Sequence, residues 1–189
     1  DDRVTHWGVS ARLDEKAESL YLYGVRPGVS KGGELVLARV PAKSVDDFPQ
    51  WRFCAGNGNW SRNAADCAAI ADNVPSELSV SKCVDPQGKT TLVMVHSEPL
   101  FGSRIMTRTA PQVEGPWSPP RAVYTVPELA GSKSYFTYAA KGHAHLSRPG
   151  ELLVSYIVNS HDFGAMVNDA SIYRPKFVRV PLSLIFSVR

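Results

Sequence analysis

The chain has 189 residues, 43% of them hydrophobic and 21% charged, which is the balance of an ordinary globular protein and not of a disordered one. Its formal net charge of +3 is small, and Lys and Arg are scattered among acids instead of forming a stripe, which argues against a nucleic-acid-binding face. No apolar run is long enough to span a membrane as a helix.

Strand signals dominate from the start of the chain. "SLYLYGV", "TTLVMVHS" and "ELLVSYIV" combine β-branched and aromatic residues, either alternating with a period near two or as continuous apolar runs. In chain order the predicted strands are 5–10, 19–25, 34–40 and 50–55, then 77–83, 89–96, 103–109 and 121–126, then 135–145, 151–158, 172–180 and 183–188. "GVSKGG" reads as a hairpin loop, "GNGNW" as a turn and "GPWSPP" as the turn before an outer strand. The alanine-rich "SRNAADCAAIADNV", residues 61–74, is the one window with the character of a short helix or turn.

The strands repeat. Arg39, Arg108 and Arg179 each close a strand shortly before a proline, Pro41, Pro111 and Pro181, with a period of about 70 residues. Proline has no amide hydrogen to give to a ladder, so it ends the third strand of each copy, and the arginine is expected to pair with a neighbouring sheet or carbonyl. A four-stranded antiparallel sheet with generous loops fits this period, and the fold class predicted is an all-β propeller. The whole chain, 1–189, is read as one partial propeller domain with about three blades, near 5–55, 77–126 and 135–188.

Propellers close with four to eight blades, and three leave raw edges. "DDRVTHWGV" runs almost at once into an innermost strand, so the chain is expected to begin between blades. The expected partner is an N-terminal fragment of the same precursor, separated by nicking in an exposed loop, which supplies the missing blades.

Three cysteines, Cys54, Cys67 and Cys83, lack CxxC spacing and a nearby histidine pair, so zinc is not expected. A disulfide closing the loop from Cys54 to Cys67 is the reading preferred, with Cys83 left as a buried thiol or paired to another polypeptide. "NWS" at Asn59 is an N-glycosylation acceptor in that loop, in keeping with a secreted, extracellular protein.

The succession "LVLARVP", "WRF", "SELSV", "RTAPQVEGPWSPP", "YFTYAAKGHAHLS" and "GELLVSYIVNS" to "IYRPKFVRVPL" resembles the C-terminal part of secreted five-bladed propellers related to endo-D-arabinanases, many of them domains of unknown function. The resemblance covers roughly residues 7–182 and is most specific in the last blade. It implies a glycan-cleaving or glycan-binding propeller of five blades. The family's first blades, where part of the catalytic carboxylates are expected, are missing here, and Ala144 stands where members often carry proline.

Glycoside hydrolysis needs two carboxyl groups flanking the scissile bond. Glu77 in "VPSELSVS" opens an innermost strand beside an apolar residue and is the candidate general acid. His143 and His145 alternate by two, so on a strand they share a face, and both are candidate catalytic residues. Tyr138, Asn159, Asp162, Tyr173 and Arg174 are candidate substrate contacts, the last suited to a carboxylate or acidic sugar. Trp7 is the candidate stacking platform, whereas Trp51 and Trp117 read as packing. No metal site and no cofactor are expected beyond a structural calcium ion in an axial channel.

The function expected is a secreted glycoside hydrolase acting on a polysaccharide or oligosaccharide in an axial pocket. Two alternatives use the same residues: a lectin-like propeller without turnover, and a polysaccharide lyase in which His143 or His145 works with Tyr138 or Tyr173 and Arg174 neutralises a uronate.

Overall fold

A computed structural model describes residues 4–28 and 32–186. Among them are thirteen strands in three antiparallel sheets, with two short α-helices and a few 3-10 turns. The chain divides into two compact units, Asp1–Ser76 with Ala110–Trp117, and Glu77–Thr109 with Ser118–Arg189.

The first unit holds a six-stranded sheet. Strands β1 (His6–Leu13), β2 (Ser19–Pro27), β3 (Gly33–Pro41), β4 (Arg52–Gly56) and β5 (Asn59–Ser61) follow one another, and β6 (Ala71–Val74) joins β3 beside β4. Val36, Leu37 and Ala38 are buried in succession, so β3 is covered on both faces, as its continuous apolar run requires. Gly24 in β2 admits Trp7: a Cβ there would stand 2.7 Å from the indole. Trp7 in turn packs on Trp51 and Phe53, with ring centroids 5.8 and 5.6 Å away.

Several expectations are corrected here. The disulfide between Cys54 and Cys67 is not formed; all three cysteines are free, buried thiols. Burial raises the pKa of each thiol, since the thiolate loses its water. The short helix or turn read in residues 61–74 is a 3-10 turn, Ala64–Asp66, capped by Asn63, but the end of that window is the strand β6, which adds to the sheet. "NWS" is the short strand β5, with Asn59 exposed, and not an open loop.

The second unit contains two sheets. One has the order β10-β9-β8-β7, from β7 (Leu78–Val84), β8 (Thr90–Ser97), β9 (Arg104–Ala110) and β10 (Arg121–Thr125). The other has the order β11-β12-β13, from β11 (Tyr135–Gly142), β12 (Glu151–Ser160) and β13 (Pro175–Pro181). One core joins them: Val93, Val95 and Ile105 meet Leu152, Val154, Tyr156 and Val158. Along β12 every second residue is buried, the period-two signature of a strand with one covered face.

β11 lies against β7 and β8 and is bulged. Ala139 adopts φ +55° and the register slips between Tyr138 and Lys141. Two serines of the neighbouring sheet take up amides beyond the slip: Ala140 N–H donates to Ser97 Oγ at 3.2 Å, and Gly142 N–H to Ser79 Oγ at 2.7 Å.

The three sheets therefore have six, four and three strands, not four each. The last predicted strand, 183–188, is instead helix α2 (Leu182–Phe186) over its described part, with Ile185 buried in the core. A short apolar run cannot distinguish strand from buried helix by its pattern alone, and Leu182, Ile185 and Phe186 also fit one helical face. Helix α1 (Phe163–Asn168) stands in what reads as a long loop.

His96 in β8 is completely buried, with Nδ1 2.8 Å from Ser97 O and Nε2 without a hydrogen-bond partner. Burial, aided by the charge of Arg108, pushes its pKa down from 6.5 to about 4.

Two outcomes are expected. Alkylation under denaturing conditions without prior reduction should add three adducts by mass, whereas native protein reacts slowly; a single adduct would mean a disulfide. For His96, the unfolded chain takes up a proton near pH 6.5 that the folded chain refuses until about 4. Stability is then level above 6.5 and falls with pH between 6.5 and 4, and His96→Gln should flatten that slope in urea midpoints.

Candidate functional site

The sequence-predicted residues Glu77, Tyr138, Asn159 and Tyr173 are brought together in the second unit. Registry does the first part: β11 and β12 pair Phe136 with Asn159 and Tyr138 with Ile157, so Tyr138 and Asn159 are diagonal neighbours on the face of β12 opposite the core. The Tyr138 side chain is hydrogen-bonded with those of Asn159 and Tyr173, and Glu77 is near enough to act on it through its charge. Asn159 is itself braced, since its Oδ1 accepts the Ser160 amide at 2.7 Å.

Tyr173 is placed by a tight turn. Asp169 accepts the Ser171 amide on its side chain at 2.8 Å and the Ile172 amide on its carbonyl at 3.1 Å, and Ile172 is buried as an anchor. Tyr173 then takes φ +60°, donates its amide to Val158 O at 2.8 Å and is 62% exposed. A bulky residue in the left-handed region is uncommon and costs about 1–3 kcal/mol.

The Tyr138 phenol has its pKa raised above the ordinary 10, first by burial and then by Tyr173 and Glu77, with the Asn159 bond opposing. It therefore stays protonated at neutral pH and serves as a hydrogen-bonding hydroxyl. Glu77 stands immediately before β7 and is half-buried. The group offers a carboxyl, two phenols and an amide within one patch, a set suited to sugar hydroxyls.

The other predicted residues are elsewhere. His143 and His145 are not on a strand: β11 ends at Gly142, and His143 caps the 3-10 turn Ala144–Leu146. His143 Nε2 is 2.8 Å from Ser155 Oγ, and burial, with His145 and Lys141, lowers its pKa; His145 is exposed. Ser155 lies four residues from Asn159, about 13 Å along β12. The Asp162 carboxylate is committed to the N-terminus of α1, accepting the Gly164 and Ala165 amides at 2.9 and 3.4 Å. Arg174 is exposed beside Tyr173. Trp7 belongs to the aromatic packing of the first unit.

Phe136, which the sequence reading passed over, adjoins the site 5.8 Å from Tyr138, and His161, one of the polar residues of the segment 159–174 that suits sugar hydroxyls, stacks on Phe136 at 4.5 Å and 27°. The alternation of "YFTY" carried the signal for Phe136, since residues two apart on a strand share a face. A cavity of about 320 Å³, bordered by Lys82, Arg148 and Glu151, is lined by none of these residues. Among the described residues no three His, Cys, Asp or Glu side chains are grouped to hold a metal ion.

The sequence matches the profile of a domain of unknown function, DUF5005, over residues 1–182. No curated protein matches it. Among solved structures, a candidate hydrolase from Bacteroides ovatus superposes with a TM-score of 0.70 at 24% identity, over 95% of this chain and 46% of that one. The chain thus spans about half the length of that protein, and the likeness is one of fold. TcdA4 from Morganella morganii is matched with a TM-score of 0.39 and 10% identity, over 97% of this chain and 7% of that one, a level that carries no argument.

Proposed function

The chain belongs to the DUF5005 family, and on that premise we propose that it is the C-terminal part of a secreted, carbohydrate-active β-propeller that hydrolyses glycosidic bonds. The observation that carries the reading is the convergence of Glu77, Tyr138, Asn159 and Tyr173 on one patch. The likeness in fold to a candidate hydrolase about twice as long supports it, because a second carboxylate and further blades then come from an N-terminal portion of the same precursor.

Glu77 is the general acid in this reading. It gives its proton to the glycosidic oxygen as the bond to the anomeric carbon breaks, while water, directly or through a covalent intermediate, supplies the new hydroxyl. The partner carboxylate stands about 5–5.5 Å away in a retaining enzyme and about 6.5–9.5 Å in an inverting one. Tyr138, Asn159 and Tyr173 bind hydroxyls and fix the ring. The raised pKa of Tyr138 keeps its phenol protonated, so in this reading it donates a hydrogen bond to a sugar oxygen.

Glu77→Gln tests the assignment. The expected result is a fall in reducing-sugar release of about 10²–10⁴-fold, the usual worth of a general acid, with oligosaccharide binding retained. Binding with no turnover in either protein would identify a lectin, and a rise in ultraviolet absorbance from an unsaturated uronate would identify a lyase.

A further inference from the structure

We infer that Phe101, Phe136 and His161 form a second sugar subsite, an aromatic platform that extends the Tyr138 site and takes the apolar face of a ring in a neutral oligosaccharide. The inference deepens the glycan reading and rests on it.

The platform begins in the hairpin between β8 and β9. Leu100 and Phe101 are consecutive left-handed residues, with φ +60° and +59°, and are 66% and 56% exposed. Hairpin loops put glycine or asparagine in such positions, because larger side chains clash with their own backbone. Here strain is spent on turning two apolar side chains toward water, against the usual drive to bury them.

The hairpin is also built to hold its shape. Arg104 forks onto Glu98, with Nε 3.0 Å from Oε2 and a second, shorter bond from its other arm to Oε1. The Glu98 amide donates to Arg104 O at 2.8 Å. Gly102 lies so close over the Glu98 side chain that a Cβ would stand 2.5 Å from it. The two charges of the fork answer each other, so the loop presents an aromatic ring with no net charge beside it.

From there the rings run on without a break. Phe101 lies 4.7 Å from Phe136, Phe136 stacks with His161, and Phe136 adjoins Tyr138, which hydrogen-bonds Tyr173. The His161 amide donates to Ser134 O at 2.9 Å, tying that ring to the start of β11. Phe101 and Tyr173 are thus two outward aromatic rings joined through a row of braced side chains, with hydroxyl and amide groups between them. A sugar ring has the matching chemistry: electropositive C–H bonds on one face for the π cloud, and hydroxyls on its rim for Tyr173 and Asn159.

The test uses the full chain and neutral oligosaccharides from arabinan, xylan and glucan, short and long. Titration with a binding oligosaccharide should move the ring-proton NMR resonances of His161, and Phe101→Ala should weaken the long ligands about tenfold, the size of one lost stacking contact of about 1.4 kcal/mol. Short ligands should bind as before, and thermal unfolding should be unchanged. Arg104→Gln, which frees the hairpin without touching the rings, should weaken the same long ligands. An unmoved His161 signal, or equal affinity of Phe101→Ala for long and short ligands, overturns the subsite. Self-association of the protein abolished by Phe101→Ala, with no response to saccharide, overturns it as well. If no reducing sugar is released yet both binding effects appear, the subsite stands and hydrolysis fails; if Glu77→Gln abolishes turnover while Phe101→Ala changes nothing, only the subsite falls.

Discussion

The architecture of the second unit depends on β12 burying alternate side chains. Leu152, Val154, Tyr156 and Val158 go into the core shared with Val93, Val95 and Ile105, and each large apolar side chain so buried contributes about 1.5–3 kcal/mol. The period of two leaves Ser155, Ile157 and Asn159 on the opposite face. A slip of one residue would send Ser155 and Asn159 into the core, so the hydrophobic effect that folds the sheet also fixes where Asn159 stands.

Strain is distributed unevenly around that sheet. Of the described non-glycine residues with positive φ, Asn57 and Asn73 are of the type that tolerates it, and Ala17 and Ala139 are small. The bulky three, Leu100, Phe101 and Tyr173, all belong to the unit that carries the Tyr138 cluster, and all are exposed. Ala139 bulges β11 just after Tyr138, and Ser97 receives the amide of the residue that follows. Backbone distortion of this kind gathers where a surface is shaped for a ligand.

Much of this fold was legible in the sequence. Eleven of the predicted strands coincide with strands here because alternation and continuous apolar runs report directly on which faces are covered. What failed lacks such a signal. The run after Pro181 is too short for its period to be decided, and α1 is held by the Asp162 cap more than by any apolar stripe. Cys54 and Cys67 carry no sequence mark separating two buried thiols from a bridge. Tyr138 and Asn159 stand out by residue type, but their proximity comes from a register that only the paired strands show; the exposure of Phe101 comes from a loop conformation that leaves no mark in the sequence.

The three strand-closing arginines stand alike near the ends of β3, β9 and β13 but differ in environment. Arg39 lays its guanidinium 4.3 Å from the centre of the Trp60 ring, Arg108 is buried, and Arg179 pairs with Glu151 across its own sheet. Stacking needs a flat cation, whereas a half-exposed ion pair accepts any positive charge. The three strand endings are therefore not interchangeable: a chimera that moved the β3 ending into β13 would carry over the arginine and leave its aromatic seat behind.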